Sequence, residues 1–439
     1  VKLKIKIESL GCRLNQSEIE SISTTLQNMG HSIVFEGDAD IYIINSCAVT
    51  LRSERKTRQL IYRAMDQIEK NSGKGQIIVT GCATDSVKQI NDIIYVSNDQ
   101  KYLIPDIITK RTKISASAPA RFNFEAAVKS SINRINLKIQ DGCDNFCSYC
   151  IIPYTRGKPQ SRSDCDILDE FKTLLDNGYK EIILTGVNIG KYNYEGCTLG
   201  HLTEKILNLN GNFRLHLTSL DPECADDRLI SLFGHEKMVK HLHLSLQSGS
   251  DSVLKRMNRP YDRNLYISVT EKLKKIVPDF NFTTDLIVGF PGESDEEFAD
   301  SISLIQEVGF SHIHTFRYSP RPGTAAASFP DSIAENIKSE RSKKIINIYM
   351  KQKEHFYKRF CGRDGILLSE KFNGKATTGF TEYYIPVEIE GYLKKNEFYK
   401  IKITACENIN SRPVSMKIKR IIKALSVLII SLFALLIPL

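Results

Sequence analysis

Six of the eleven cysteines fall into two sets whose spacing could do chemistry. Cys143, Cys147 and Cys150, in the stretch "IQDGCDNFCSYC", are spaced C-x3-C-x2-C with no histidine near them. A closed zinc site takes four nitrogen or sulfur ligands, so this loop would need a fourth partner that the local sequence does not offer. A 4Fe-4S cluster held by three thiolates has one iron without a protein ligand, and that iron can bind a substrate or cofactor. Buried structural thiols and a zinc site completed from elsewhere are the other two readings. Cys12, Cys47 and Cys82 are separated by equal intervals of 35 residues, and each directly follows a segment that reads as a strand. Thiols at the carboxyl ends of parallel strands share one edge of the sheet, so a second triad is implied; three buried thiols at strand ends are the alternative.

The elements that must position these residues form an α/β chain. Residues 1–110 alternate "KLKIKIESL", "SEIESISTTLQNMG", "ADIYIINS", "RSERKTRQLIYRAMDQIEK" and "GQIIVTG", a β-α-β-α-β pattern that predicts a small parallel sheet. Residues 111–134 are rich in Ser, Ala and Pro without a period and read as a linker. From 135 to 334 the alternation resumes with six strand-like segments, "INLKIQDG", "KEIILTG", "FRLHLTSL", "HLHLSLQSG", "NFTTDLIVGF" and "HIHTFRYSP". Six βα units fit a partial (β/α)6 barrel with its functional loops at the strand carboxyl ends, and the C-x3-C-x2-C loop follows the first strand. Ser294 and Glu297 form a capping-box signature for the last helix of this module. His241 and His243 alternate on one strand and share a face, toward either the barrel packing or a substrate. A basic helix over 335–360 leads to 361–420, whose short strands and turn residues fit a small antiparallel β-barrel. Cys165, Cys197, Cys224, Cys361 and Cys406 show no ligand spacing and read as structural or incidental.

A chain of 439 residues exceeds one ordinary core, and its composition is that of a globular protein. Eleven cysteines in so long a chain without a secretory signal argue against a disulfide framework and for a cytoplasmic location. Residues 335–423 hold 20 Lys and Arg against 10 Asp and Glu, an excess that suits a polyanion such as RNA or a solvated lysine-rich helix face. The chain ends on "ALSVLIISLFALLIPL", sixteen uncharged residues after a basic flank, within a hydrophobic tail at 421–439. A membrane-spanning helix needs about 20 apolar residues, about 17 at the least, so this tail reaches that length only if Ile421 and Ile422 join it. It reads as a membrane tether, an added packing helix or the product of a shifted reading frame.

With Tyr149 before its last cysteine, the C-x3-C-x2-C loop resembles the signature of the radical S-adenosylmethionine (SAM) superfamily. "SLGCRLNQSE", "NSCAVTLRSERKTRQ", "VTGCA" and "CSYCIIPYTRGKPQSR" are further similar to the radical SAM methylthiotransferases. Among these the wording looks most like the branch that acts on N6-threonylcarbamoyladenosine at tRNA position 37. The branches that act on isopentenyladenosine or on a ribosomal-protein aspartate are the alternatives, and a non-catalytic iron-sulfur or zinc RNA-binding protein is the rival from another class. The resemblance implies two 4Fe-4S clusters: a catalytic one on Cys143, Cys147 and Cys150, whose open iron takes SAM, and an auxiliary one on Cys12, Cys47 and Cys82, whose open iron holds the sulfur to be transferred. It implies a SAM pocket built from Tyr149, Thr185, Gly186, Ser245, Gln247, Gly289 and Pro291. One SAM would donate a methyl group to sulfur and another would supply the radical that takes hydrogen from adenine C2. The implied partners are the tRNA anticodon stem-loop, a sulfur donor and a reductant such as flavodoxin or ferredoxin. The last module resembles the RNA-binding TRAM barrel, with Phe380, Tyr383 and Tyr384 available either for base stacking or for its own core. Ala83 stands where the family often carries a larger or aromatic residue.

Overall fold

The computed structural model describes residues 2–71, 73–87, 90–110, 121–129, 133–407 and 415–422. It divides into two compact units, Val1–His355 and Phe356–Leu439.

The first unit begins with five parallel strands, β1 (Lys4–Ser9), β2 (Ser32–Val34), β3 (Ile41–Ser46), β4 (Gln76–Gly81) and β5 (Ile93–Val96), in the order β2-β1-β3-β4-β5. Two of these strands, β2 and β5, go beyond the three legible in the sequence. Alternate residues of β3 and β4 feed opposite faces. Ile43 and Ile78 pack under α1 (Arg13–Asn28), while Ile44, Ile77 and Val79 pack under α2 (Leu51–Lys70). Thr50 caps α2 by accepting a hydrogen bond from the Ser53 amide at 3.1 Å. Two short helices, α3 (Thr84–Val87) and α4 (Ile104–Lys110), follow β4 and β5.

The second half of this unit is the six-stranded partial barrel. Strand β6 (Arg134–Lys138) is followed by the small hairpin β7 (Gln140–Asp141) and β8 (Gln160–Ser161), which brackets the cysteine loop and α5 (Ile152–Arg156). Helix α6 (Asp164–Asp176) leads to β9 (Glu181–Thr185), and the hairpin β10 (Asn193–Tyr194) and β11 (Cys197–Thr198) precedes α7 (Leu199–Leu207). Then come β12 (Arg214–Leu217), α8 (Asp227–Leu232), β13 (His241–His243), α9 (Asp251–Arg256), α10 (Arg263–Ile276), β14 (Asn281–Val288), α11 (Asp295–Val308) and β15 (His312–Arg317). Strands β6, β9 and β12 form one parallel ladder and β13, β14 and β15 another. Single parallel bridges, Leu215 to Met238 and Leu220 to Leu244, join the two. Ser294 and Glu297 close the expected capping box on α11, with bonds of 3.2 and 3.0 Å.

Residues 121–129, read from sequence as part of a linker, are packed. Phe124 joins the apolar core under β1 and β3, and the Lys138 ammonium lies 5.3 Å from its ring. The stretch "RFNFEAAVK" carries no periodic signal because it is held by single side chains and not by a repeating face. The long helix α12 (Glu335–Lys358) is also less free than its charge suggests. Lys338 and Arg341 are buried, Arg341 bonding Glu293 at 2.6 Å and Asp295 at 2.7 Å, so these two cations brace the barrel.

The second unit holds β16 (Asp364–Phe372), β17 (Ala376–Thr381), β18 (Pro386–Glu390), β19 (Phe398–Glu407) and β20 (Ser415–Ile422), antiparallel in the order β18-β17-β16-β19-β20. The sheet curls into a half-barrel over Leu367, Ile385, Val387, Ile389 and Ile401, in keeping with the small antiparallel barrel expected from sequence. Ile421 and Ile422 pair with Ile401 and Lys400 in β20 and so do not lengthen the apolar tail. Residues 424–439, the rest of that tail, lie outside the described residues. Among the described residues no helix is long and apolar enough to cross a membrane.

Candidate active site

Cys12 follows β1 and caps α1, Cys47 follows β3, and Cys82 follows β4, so parallel pairing brings the three thiols to one edge of the first sheet. Polar side chains knit the three loops together. The Asn15 amide donates to Leu10 O at 2.8 Å and Ser46 O at 2.9 Å, Asn45 donates to Asn15 O at 2.9 Å, and the Ala83 amide donates to Ser46 Oγ at 3.0 Å. Gly81 sits at φ +101°, and a Cβ there would lie 2.3 Å from Ser46 O. Gly81→Ala should therefore move Cys82 away from Cys47 and cost about 1–3 kcal/mol. Thermal unfolding and the iron retained after reconstitution check this; a variant with wild-type values of both would show that the turn does not set the thiol position.

Cys47 and Cys82 are buried, whereas Cys12 is exposed as a residue although protein atoms surround its thiol. Burial pushes the thiols of Cys12 and Cys47 up, and each is raised further by the charge of its neighbours in the triad. Three thiols facing one another bring no stabilisation of their own, whereas a bound cationic centre would take all three as thiolates. Ala83 is buried beside Cys82 and Ala48, and Ile151 and Ile152 of the second cysteine loop pack over them. The volume of a larger residue at position 83 is thus supplied from the barrel.

Cys143, Cys147 and Cys150 occupy the loop between β7 and α5. Its base is fixed by the Cys143 amide donating to Gly157 O at 3.0 Å, and its crown by the Ser148 amide donating to Met257 O at 3.0 Å. Burial raises all three thiols, Cys150 to about 12. Arg259 donates to Cys147 Sγ at 3.1 Å and to Asp221 Oδ1 at 2.5 Å. Asp221 Oδ2 in turn accepts from Asn145 at 3.1 Å and Asn188 at 3.0 Å. Around this network Asn188 Oδ1 and both carboxylate oxygens of Glu223 are buried without a hydrogen-bond partner. Buried acceptors of this kind suit a ligand amino group, and the neighbouring Arg259 guanidinium suits a carboxylate, so the loop fits a three-thiolate cluster with a ligand carrying both on its open iron.

The residues expected around a cofactor fall into two groups. Thr185 and Gly186 end β9 against Gln140, so close that a Cβ on Gly186 would lie 2.8 Å from Gln140 O. Tyr149 meets the Phe290 ring edge-on at 6.4 Å, between Gly289 and Pro291. Gln247 takes φ +63° and bridges to Leu286 on β14, and Ser245 is buried, with its carbonyl accepting from Tyr261 at 3.0 Å. The Gly289 amide is committed to Glu293 at 2.6 Å, a structural duty the sequence reading did not foresee.

Sequence reasoning missed the group that joins the two loops. Arg156, at the end of α5, donates through Nε to Cys82 Sγ at 3.2 Å. Its remaining nitrogens reach Glu18 at 3.1 and 3.2 Å, Asp141 at 3.0 and 3.1 Å, and Asn15 Oδ1 at 2.7 Å. Lys101 bonds Glu18 at 2.5 Å, and Lys138 bonds Glu18 at 2.8 Å and Asp141 at 2.7 Å. All five charged groups are buried. Burial alone would raise Glu18, but Arg156, Lys101 and Lys138 hold it well below the ordinary carboxylate value; Asp141 is lowered in the same way by Arg156 and Lys138. Three basic side chains against two carboxylates leave positive character beside Cys82, which suits an anionic thiolate. The "PYTRGK" wording was the available signal, but an arginine in a loop gives no sign of what it will reach.

At the mouth of the second loop Phe146 and Tyr154 are exposed, with ring centroids 5.8 Å apart in an edge-to-face pair. In the second unit Phe380 and Tyr384 stack at 4.7 Å, while Tyr383 packs against Phe360 and the apolar core.

Two family models match the chain, the Radical SAM superfamily over residues 137–305 and Uncharacterized protein family UPF0004 over residues 4–97. The chain is 36% identical over 413 residues to a threonylcarbamoyladenosine tRNA methylthiotransferase, MtaB, of Thermotoga maritima, covering 91% of this chain and 94% of the relative. It is 35% identical to the protein of the same name from Bacillus subtilis, covering 88% and 90%. A tRNA-2-methylthio-N(6)-dimethylallyladenosine synthase of Lawsonia intracellularis is 33% identical, covering 84% and 87%. Among solved structures, the radical S-adenosylmethionine methyltransferase TsrM of Kitasatospora setae superposes with a TM-score of 0.53 at 11% identity, over 74% of this chain and 75% of that one, a likeness of fold.

Proposed function

The chain belongs to the radical SAM methylthiotransferase family, and from that premise we propose that it attaches a methylthio group to C2 of N6-threonylcarbamoyladenosine at position 37 of tRNA. The observation that carries this reading is the pairing of two thiol triads at strand ends of one compact unit, in a chain matched nearly end to end by relatives of that name. Members of this family use SAM and two 4Fe-4S clusters. Such a cluster with SAM supplies a radical able to remove hydrogen from an unreactive aromatic carbon.

The chain's own residues bind, orient and shield. Cys143, Cys147 and Cys150 would hold the cluster that takes SAM, and Cys12, Cys47 and Cys82 would hold the auxiliary cluster. Arg259 and Asp221 brace the first set and offer paired charge to a zwitterionic ligand beside it, next to the open partners of Asn188 and Glu223. Arg156 braces Cys82 from the barrel side. The exposed Phe146 and Tyr154 suit stacking against a nucleobase at the loop. The curled sheet of the second unit reads as a TRAM-like RNA-binding module, its exposed lysines meeting phosphate. A reductant and a sulfur donor complete the reaction.

The dimethylallyladenosine synthase relatives, at 33% identity, favour a second reading with an isopentenylated adenosine as acceptor. Mass spectrometry of tRNA nucleosides from cells lacking the gene separates the two. Loss of methylthio-threonylcarbamoyladenosine, with accumulation of its precursor, is the expected result. Its persistence alongside loss of the methylthio-isopentenyl nucleoside would overturn the choice of acceptor.

A further inference from the structure

Within the barrel, the side chains of the alternating residues His241 and His243 of β13 both reach Thr283 of β14, His243 also approaches Asp285, and Asp285 pairs with His314 of β15. Together with Glu181 of β9 and His216 of β12 they form a chain of polar contacts crossing five strands. Burial alone would raise Glu181, but His216, with Arg134 and Arg214 nearby, holds it below its ordinary value as a carboxylate. His216 Nδ1 faces Glu181 Oε1 at 3.4 Å. Burial pushes both His216 and His241 down, so each carries one ring proton.

His216 Nε2 hydrogen-bonds with His241 Nδ1 at 3.0 Å, and His241 Nε2 with the Thr283 hydroxyl at 3.0 Å. The Thr283 hydroxyl also bonds with His243 Nδ1 at 3.1 Å. His243 Nε2 faces Asp285 Oδ1 at 3.4 Å, and this nitrogen has no hydrogen-bond partner. An imidazole nitrogen and a carboxylate oxygen facing each other in this way are a donor pair that a metal cation can bridge. His314 completes the set, since ligand atoms of His243, Asp285 and His314 all lie within 4.8 Å of one another.

We propose that His243, Asp285 and His314 bind a divalent first-row transition-metal ion, a site separate from both cysteine triads. Two imidazoles and one carboxylate are a donor set for such ions, and three protein ligands leave a position open for water or an anionic oxygen. Thr283 acts as the outer partner that fixes the His243 tautomer, as metal-bound imidazoles require. His314 is exposed and the other two are half-buried, which gives the ion a way in.

Zinc is the probe. Holoenzyme reconstituted anaerobically with both clusters is equilibrated with Zn2+, freed of excess and analysed for zinc, iron and sulfide. Zinc X-ray absorption then reads the ligand shell. The expected result is about one zinc per chain with a shell of nitrogen and oxygen near roughly 2.0–2.1 Å and no sulfur near about 2.3 Å. His243→Ala and Asp285→Asn should each lose that zinc with iron and sulfide unchanged. Failure of the wild type to bind zinc, a shell containing sulfur, or zinc retained by both variants would overturn the site; the wild-type shell decides even if a variant fails to fold.

Discussion

Replacing Cys150 by alanine is expected to abolish reductive cleavage of SAM to 5'-deoxyadenosine, while replacing Cys47 by alanine should spare that cleavage and abolish methylthio transfer. Both thiols have raised proton affinity through burial, so thiol chemistry alone does not separate them. Position does. Cys150 lies in the loop beside the Arg259–Asp221 network and the open polar atoms of Asn188 and Glu223, whereas Cys47 lies at the edge of a different sheet. Each variant should lose about four of roughly eight irons per chain, the content of one 4Fe-4S cluster. If the cysteines merely packed, shortening a buried thiol to a methyl group would cost on the order of 1 kcal/mol and leave iron untouched. Cleavage of SAM by the Cys150→Ala protein would exclude the assignment of that loop. Loss of cleavage in Cys47→Ala at full occupancy of the other cluster would exclude the division of labour.

Arg156→Ala should be the most damaging substitution outside the cysteines. It removes the side chain that donates to Cys82, Asn15, Glu18 and Asp141 at once, and strands two buried carboxylates with only Lys101 and Lys138. Lys101 and Lys138 still balance the two carboxylates, so the cost, about 3–5 kcal/mol, comes from losing several charge-assisted hydrogen bonds at once and leaving buried acceptors unsatisfied. Arg156→Lys keeps the charge but not the fork, and a point-like ammonium cannot serve a thiol and two carboxylates together. It should recover part of the thermal stability while the auxiliary cluster keeps an altered electron paramagnetic resonance signal. A merely structural arginine would give a lysine variant whose spectrum matched wild type. An alanine variant with unchanged melting and iron content would show that this residue does not tie the two cysteine loops together.

The sequence made the strand-end thiols legible because cysteine spacing and βα alternation are local signals. Cys12, Cys47 and Cys82 could be placed on one edge from topology alone, and Ser294 and Glu297 announced their own helix cap. The groups that hold the site were not legible for the opposite reason. Glu18, Lys101, Lys138, Asp141 and Arg156 come from four elements and one loop, and as bare letters each has the composition of a solvated surface. Their pairing exists only after α1, α4's neighbourhood and the barrel's first strand meet. His241 and His243 illustrate the intermediate case. Alternation put them on one face, but the 3.4 Å approach of His243 to Asp285 depends on the register between β13 and β14. The curl of the last sheet was legible as a small barrel, because short strands separated by turn residues are a local signal.

The most direct test of the central claim is a single-chain assay. Anaerobically reconstituted protein is given SAM, dithionite, a sulfide source and two tRNA substrates, one carrying threonylcarbamoyladenosine and one carrying isopentenyladenosine at position 37, and the digested nucleosides are weighed. The account predicts 5'-deoxyadenosine together with a methylthio product on the threonylcarbamoyl substrate. Absence of 5'-deoxyadenosine, or a methylthio product confined to the isopentenyl substrate, would contradict it.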